Sequence, residues 1–358
     1  FGSTLFAGLD QKKGYALVHG NIDLRLPSEI LKETSFDIVC VGEDLLSVKK
    51  VRNYFNSKSQ YGGRIVAHKK MQDKLPYPDL MFNFICVDIS SLEVAMKLSF
   101  EDYFRLLRPF GTLVIGGNNL LDQYRERLSD LVLNHPGYSL KHHSLKGQQW
   151  IVIRRGKLPG SGDWSHQYAD LGNTACSEDR LVSGDLSLQW YGKPGPYRMF
   201  DRHAYTTAPV YSSGRLFTLG EKVLYANDAY NGFLLWEKEL PALEPRVNLP
   251  RDCGYMATDG DHVYLAVKSN CLKINGRTGE TDLEFNCPKI ADAHEYNWGY
   301  VGITSNILFG SNVRSGNFYT QGRGPWYDDS SFGNAEDSHK VLSDCVFAYG
   351  LTSSEKIW

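Results

Sequence analysis

Tyr15-Ala16-Leu17-Val18-His19-Gly20-Asn21-Ile22-Asp23-Leu24 is the stretch on which the reading of the first half turns. An apolar run of strand length stops at a glycine, and a loop follows before the next apolar pattern. A second run, Phe36-Asp37-Ile38-Val39-Cys40-Val41-Gly42, ends in the acidic pair Glu43-Asp44. Leu46, Val48, Val51, Tyr54 and Phe55 then recur at near-helical spacing, with Lys49, Lys50 and Arg52 between them. Runs at 64–68, 80–88, 112–117 and 150–154 read as further strands. A helix around 98–108 is expected to stop at Arg108-Pro109-Phe110-Gly111. Strand–helix alternation of this kind predicts a mostly parallel, doubly wound α/β domain over residues 1–155.

Composition bounds the rest. The 358 residues carry 39 Lys+Arg against 41 Asp+Glu, a net charge of −2, which gives no global footprint for nucleic acid. No stretch approaches the length of apolar sequence that spans a bilayer, so no membrane span is expected. Aromatic residues reach 13% and glycines number 34, which suits short strands and tight turns. The cysteines at 40, 86, 176, 253, 271, 287 and 345 are scattered, with no CxxC pair. That dispersal argues against a structural zinc site and a dense disulfide framework, and no metal site is expected; buried free thiols are.

Gly156-Lys157-Leu158-Pro159-Gly160-Ser161-Gly162 reads as a linker. Beyond it, over 163–358, period-two alternation and Gly/Asn/Asp turns replace helical spacing, so this half reads as all-β. It also contains a repeat. Asp228, Gly232 and Trp236 follow the strand-like Val223-Leu224-Tyr225. Asn275, Gly279 and Leu283 fall in register 47 residues later; Gly350, Ser354 and Trp358 fall in register 122 residues later. The acidic or amide side chain caps a turn, and the glycine supplies its positive φ. The aromatic on the next strand packs on a neighbouring blade. An excess of residues between the second and third copies, Ser311 to His339, reads as a long projecting loop in which Tyr319, Trp326 and Tyr327 are candidates for stacking a sugar or a partner's side chain.

The Asp228–Gly232–Trp236 motif resembles the tryptophan-docking turn of quinoprotein (pyrroloquinoline-quinone-type) β-propellers. A bacterial subgroup with such a propeller behind a class I methyltransferase-like, Rossmann-type domain resembles more of the chain. The resembling stretches include Asp163-Trp164-Ser165-His166-Gln167-Tyr168, Leu188-Gln189-Trp190-Tyr191-Gly192, Asp201-Arg202-His203, Trp298-Gly299-Tyr300, Leu75-Pro76-Tyr77-Pro78-Asp79 and Leu107-Arg108-Pro109-Phe110-Gly111. The resemblance implies a partial propeller of about four blades in 163–358. Proteins of this type are usually exported, which favours an extracytoplasmic location, and an opening at Phe1 leaves room for a preceding signal.

In a working class I methyltransferase the first strand ends in G-x-G-x-G, whose bare backbone approaches S-adenosylmethionine, and a carboxylate after the second strand holds the ribose. Here Gly20 holds the first glycine position, but Ile22 and Leu24 occupy the others, where side chains would crowd the cofactor. By resemblance the residues toward S-adenosylmethionine are Gly20, Asp23, Glu43, Asp44 and Asp73. Quinone is not expected, since no Cys-Cys pair and no evident cation set accompany the turns. His166, Arg202, His203, Asp252 and His294 are the candidate catalytic or ligand-binding residues of one propeller face. The alternative for the histidines is hydrogen bonding within turns. The leading expectation is a binding or scaffold protein that takes a small molecule, glycan or protein on that face, its methyltransferase-like domain inactive. An S-adenosylmethionine-dependent methyltransferase and a quinoprotein-type oxidoreductase remain open.

Overall fold

The computed structural model describes residues 6, 8–9, 11–20, 22–71, 74–89, 99–117, 119–145, 148–192, 198, 208–243, 254–290, 294–315 and 343–358. The chain divides into two compact units, Phe1–Pro159 and Gly160–Trp358.

The first unit is a seven-stranded sheet with helices packed on both faces. Its elements run β1 (Lys13–Gly20), α1 (Arg25–Glu33), β2 (Ser35–Gly42), α2 (Leu45–Asn56), β3 (Ile65–Lys69), β4 (Phe82–Asp88), α3 (Phe100–Leu106), β5 (Leu107–Gly117), α4 (Arg125–Asn134), β6 (Tyr138–Leu145) and β7 (Gln148–Arg155). The strand order is β3-β2-β1-β4-β5-β7-β6. β1 to β5 are parallel, while β7 runs antiparallel to both β5 and β6. The order reverses between β1 and β4, which makes this a doubly wound, Rossmann-like sheet with its switch point beside Gly20 and Asp88. Side-chain parity separates two cores, as a pleated sheet requires. Leu17, Val39, Val41, Ile85, Val87, Leu113 and Ile115 face α3 and α4. Ala16, Val18, Ile38, Cys40, Phe84, Cys86 and Val114 face α1 and α2.

The helix expected to reach residue 108 ends at Leu106. Leu107 already pairs with Phe82, and pairing resumes at Phe84 and Thr112. Arg108-Pro109-Phe110-Gly111 is therefore a bulge inside β5, with Phe110 at φ 61°, rather than a stop between elements. β6 was not legible beforehand: Ser139 and Lys141 to Ser144 are exposed on an edge strand, so no apolar alternation marks it.

The second unit is all-β: three antiparallel sheets among the described residues, where about four blades were expected. The first contains β8 (Val210–Ser212), β9 (Arg215–Gly220), β10 (Val223–Asp228) and β11 (Leu234–Glu239). The second contains β12 (Met256–Thr258), β13 (His262–Val267), β14 (Asn270–Asn275) and β15 (Thr281–Asn286). The third contains β16 (Tyr296–Thr304), β17 (Ile307–Arg314) and β18 (Ser343–Gly350). Each is a meander of sequential neighbours, and the described strands do not close into a ring. Alternation again divides the faces. Met256, Val263, Leu265, Leu272 and Ile274 of the middle sheet pack against the first sheet. Their neighbours Ala257, Tyr264, Ala266 and Cys271 pack against the third. The sheets thus stack face to face.

Three turns carry the repeat, and their backbone bonds are identical. Asp228 N–H donates to the Phe233 carbonyl and Gly232 N–H to the Asp228 carbonyl. Asn275 N–H donates to Glu280 and Gly279 N–H to Asn275; Gly350 N–H donates to Glu355 and Ser354 N–H to Gly350. Gly232, Gly279 and Ser354 share the left-handed conformation, at φ 73°, 78° and 58°. Asp228 and Asn275 accept backbone N–H bonds on their side chains, whereas Gly350 in the third copy has no side chain to do so.

Trp236 docks on the turn of the next sheet: its indole N–H donates to the Gly276 carbonyl at 3.0 Å, and its ring lies over Gly279. Trp190 docks likewise on the first sheet's turn, donating to the Ala229 carbonyl at 2.9 Å with its ring over Gly232.

Cys40, Cys86 and Cys271 are buried free thiols, as expected; Cys176, Cys287 and Cys345 are also free, and Cys253 lies outside the described residues. Among the described residues no helix is long and apolar enough to cross a membrane.

Candidate functional site

The carboxyl ends of β1, β2 and β3 bring together residues that the sequence separates widely. His19, the penultimate residue of β1, is fully buried and sits between Tyr103 of α3 and Glu43. Its Nε2 lies 3.1 Å from Glu43 Oε1, and its Nδ1 is hydrogen-bonded to the Tyr103 hydroxyl. An ionised carboxylate only accepts, so Nε2 carries the proton and Nδ1 accepts from Tyr103. Lys70, just past β3, places Nζ 3.6 Å from the same Glu43 oxygen, with both side chains largely buried. Burial, reinforced by the Glu43 and Asp102 charges, pushes the Tyr103 hydroxyl well above the usual tyrosine range. The chain Tyr103–His19–Glu43–Lys70 fastens α3 to the ends of three strands.

The residues expected to meet S-adenosylmethionine fall into different roles. Gly20 sits at φ 109°, where a Cβ would overlap the Asp88 carbonyl oxygen; the glycine is required by the close approach of β4. Ile22 is 5% exposed and belongs to the core under α1 and α2, and Leu24 packs on the same cluster. The expectation that both crowd a cofactor is corrected: these side chains turn inward because the sheet face there needs covering. Asp23 is paired with Arg25, whose guanidinium holds its carboxyl below the usual range. Asp44 caps α2, accepting from the Leu46 and Ser47 N–H groups at 2.7 and 2.8 Å, and these bonds lower its pKa. Asp73 lies outside the described residues. Leu75-Pro76-Tyr77-Pro78-Asp79 is pinned from α3: Arg105 donates to the Leu75 and Tyr77 carbonyls and to Asp79, and Asp102 accepts from Leu75 N–H.

In the second unit, His166 is a hub. It is 4% exposed, and burial lowers its pKa to about 4. Ile303 N–H donates to its Nε2 at 3.1 Å, so Nδ1 carries the proton and donates to Ser165 Oγ at 2.7 Å. The flanking backbone completes the junction. Trp164 exchanges two hydrogen bonds with Tyr211 of β8, and Thr258 N–H of β12 donates to the Ser165 carbonyl. One short segment thereby ties the first strands of all three sheets, β8, β12 and β16. The catalytic expectation for His166 gives way to the turn-bonded one. Arg202, His203 and Asp252, like Tyr319, Trp326 and Tyr327 of the long loop, lie outside the described residues, and His294 is exposed. Among the described residues no group of three or more His, Cys, Asp or Glu side chains is placed to hold a metal ion.

Sequence reasoning named Glu43 but missed His19, Lys70 and Tyr103. His19 and Tyr103 are 84 residues apart and lie on a strand and a helix joined only through the fold. A histidine closing a first strand directly before Gly20 was the one available signal.

No protein-family model matches this chain, and no curated protein does. The N-terminal part is similar to several solved structures. A SAM-dependent methyltransferase from Aquifex aeolicus is 17% identical, with a TM-score of 0.35, over 43% of this chain and 88% of its own. A ribosomal protein L11 methylase from Lactobacillus delbrueckii subsp. bulgaricus is 13% identical, with a TM-score of 0.33, over 43% of this chain and 74% of its own. The cyclase SpnF is 11% identical, with a TM-score of 0.36, over 43% of this chain and 80% of its own.

Proposed function

We propose that this chain is a binding and scaffold protein. Its C-terminal sheets are read as part of a quinoprotein-type β-propeller that presents a small molecule, glycan or protein, and its Rossmann-like unit as a structural module without methyl-transfer activity. The observation that carries the second statement is the engagement of Glu43. Glu43, a carboxylate that the resemblance puts toward S-adenosylmethionine, is already held by a buried imidazole N–H at 3.1 Å and a buried ammonium at 3.6 Å. Displacing it would leave His19 and Lys70 without that partner in a poorly solvated site, which is costly. Three turns with one bonding pattern and two docked tryptophans support the propeller reading.

One feature favours a second reading, an S-adenosylmethionine-dependent methyltransferase. Leu45, Leu46 and Met71 are exposed close in sequence to Glu43 and Lys70, an apolar group of the kind that lines the face of a flat heteroaromatic ring. Calorimetric titration of the full chain with S-adenosylmethionine separates the two. No heat at millimolar ligand is expected; micromolar binding abolished by Glu43→Ala would replace the scaffold reading with the methyltransferase one. A quinone-dependent oxidoreductase is tested by quinone reconstitution followed by dye-linked alcohol or sugar oxidation, and a glycan array tests sugar binding by the sheets.

A further inference from the structure

From Leu45 to Met71 the sequence holds five lysines and two arginines and no aspartate or glutamate, in a chain whose net charge is −2. The fold sets this run along one border of the Rossmann-like sheet, where α2 packs beside the edge strand β3. Both arginines turn onto backbone: Arg52 donates to the Ala67 carbonyl, and Arg64 to those of Leu31, Thr34 and Phe36. Lysines are left for solvent. Lys49, Lys50 and Lys69 are exposed, and Lys49 and Lys69 form no ion pair with any described residue.

Apolar side chains stand among these lysines. Leu46 and Met71 are each 79% exposed, and Leu45 is 48% exposed. Asp44 caps α2, so Leu45 and Leu46 open its first turn, one helical turn from Lys49 and Lys50. The Lys70 N–H donates to the Gly42 carbonyl, which sets Lys69 and Met71 beside the strand end that leads into that turn. The carboxylates that border the face are already engaged, Glu43 by His19 and Lys70, and Asp44 by the helix it caps.

We propose that this face docks on an anionic phospholipid surface. Leu46 and Met71 enter the boundary between headgroups and acyl chains, and Lys49, Lys50 and Lys69 meet the lipid phosphates. A nucleic acid would satisfy the lysines alone, since the exposed side chains between them are aliphatic and offer no ring on which a base stacks. The inference rests on the scaffold reading, in which Leu45, Leu46 and Met71 line no cofactor.

Co-sedimentation of the full chain with phosphatidylcholine vesicles, with and without roughly one-third phosphatidylglycerol, tests this. Binding is expected only where phosphatidylglycerol is present, with release at about 0.5 M salt as the charges are screened. Lys49→Glu combined with Lys69→Glu is expected to weaken binding at least ~25-fold, about fivefold for each lysine lost. Leu46→Ser combined with Met71→Ser is expected to weaken it ~10-fold while keeping the salt dependence. Lys141→Glu reverses an exposed charge on β6, the opposite edge of the sheet, and is expected to bind as wild type. Thermal unfolding checks that every variant is folded. No binding, equal binding to both vesicle types, or a Lys141→Glu chain as weak as the double lysine variant overturns the proposal. A Leu46→Ser/Met71→Ser chain that binds as wild type overturns the lipid occupant and gives the lysines to a polyanion such as nucleic acid. Calorimetric heat from S-adenosylmethionine in the absence of vesicles overturns the scaffold reading instead, and is read separately from vesicle selectivity.

Discussion

Acidification should loosen the three-sheet unit through one residue, His166. Its Nε2 accepts from the Ile303 N–H, so protonation replaces a hydrogen bond with a repulsion and puts a charge into a site that is 4% exposed. The group's pKa falls from 6.5 to about 4 on folding. Burial pulls it down and outweighs the upward pull of the Asp170 carboxylate. A depressed histidine pKa means that the unfolded chain binds the proton first, so stability is fully present above pH 6.5 and is lost as pH falls toward 4. A shift from 6.5 to about 4 corresponds to roughly 3 kcal/mol, of which roughly 2.5 is gone by about pH 4.5. Urea unfolding followed by tryptophan fluorescence, at a series of pH values, measures this in wild type and in His166→Gln. Subtracting the two curves cancels every other titrating group. The wild-type advantage should shrink by that amount between neutral pH and about pH 4.5, with the change centred between the two pKa values. A difference independent of pH, or one that grows on acidification, would refute the tautomer and burial argument.

Three further outcomes follow from the packing. Ile22→Gly, which brings the loop closer to a cofactor-binding pattern, should destabilise the N-terminal unit by about 3 kcal/mol by emptying a core site, with no gain of S-adenosylmethionine binding by calorimetry. Gly279→Ala places a Cβ 2.8 Å from Trp236 Cδ2 at φ 78°. It should cost about 2–3 kcal/mol in thermal unfolding and red-shift tryptophan emission as the indole leaves the turn. Ser354→Gly relieves a non-glycine residue at φ 58° and should stabilise the chain by roughly 0.5 kcal/mol, read as a small rise in Tm.

Much of the architecture was legible because burial follows period. The runs at 15–19, 36–42 and 80–88 are central strands covered on both faces, and continuous apolar sequence is what such strands need. Their edge counterpart β6 is solvated and carries Lys141, His142 and His143, so nothing in its sequence separates it from a loop. The turn at Asp228–Gly232 was legible because side-chain capping and positive φ are local demands. The copy at Gly350–Ser354 keeps the same bonds while replacing both characteristic residues. The loop after β1 misled for a related reason: Ile22 and Leu24 were weighed against an absent ligand, whereas the sheet face beneath them determines where they point.

By itself the sequence determined the division into an α/β half and an all-β half, the order of most strands along the chain, and the tight turns that punctuate the second half. These depend on apolar period and on the conformational freedom of single residues, both written within a few positions of each other. Only the tertiary structure decided that His19, Glu43, Lys70 and Tyr103 form one buried chain, that His166 ties three sheets, and that Trp190 and Trp236 each sit on another strand pair's turn. Those pairings depend on strand order and on which polar atoms lose water together, and a polar atom finds its partner across the fold rather than along the chain.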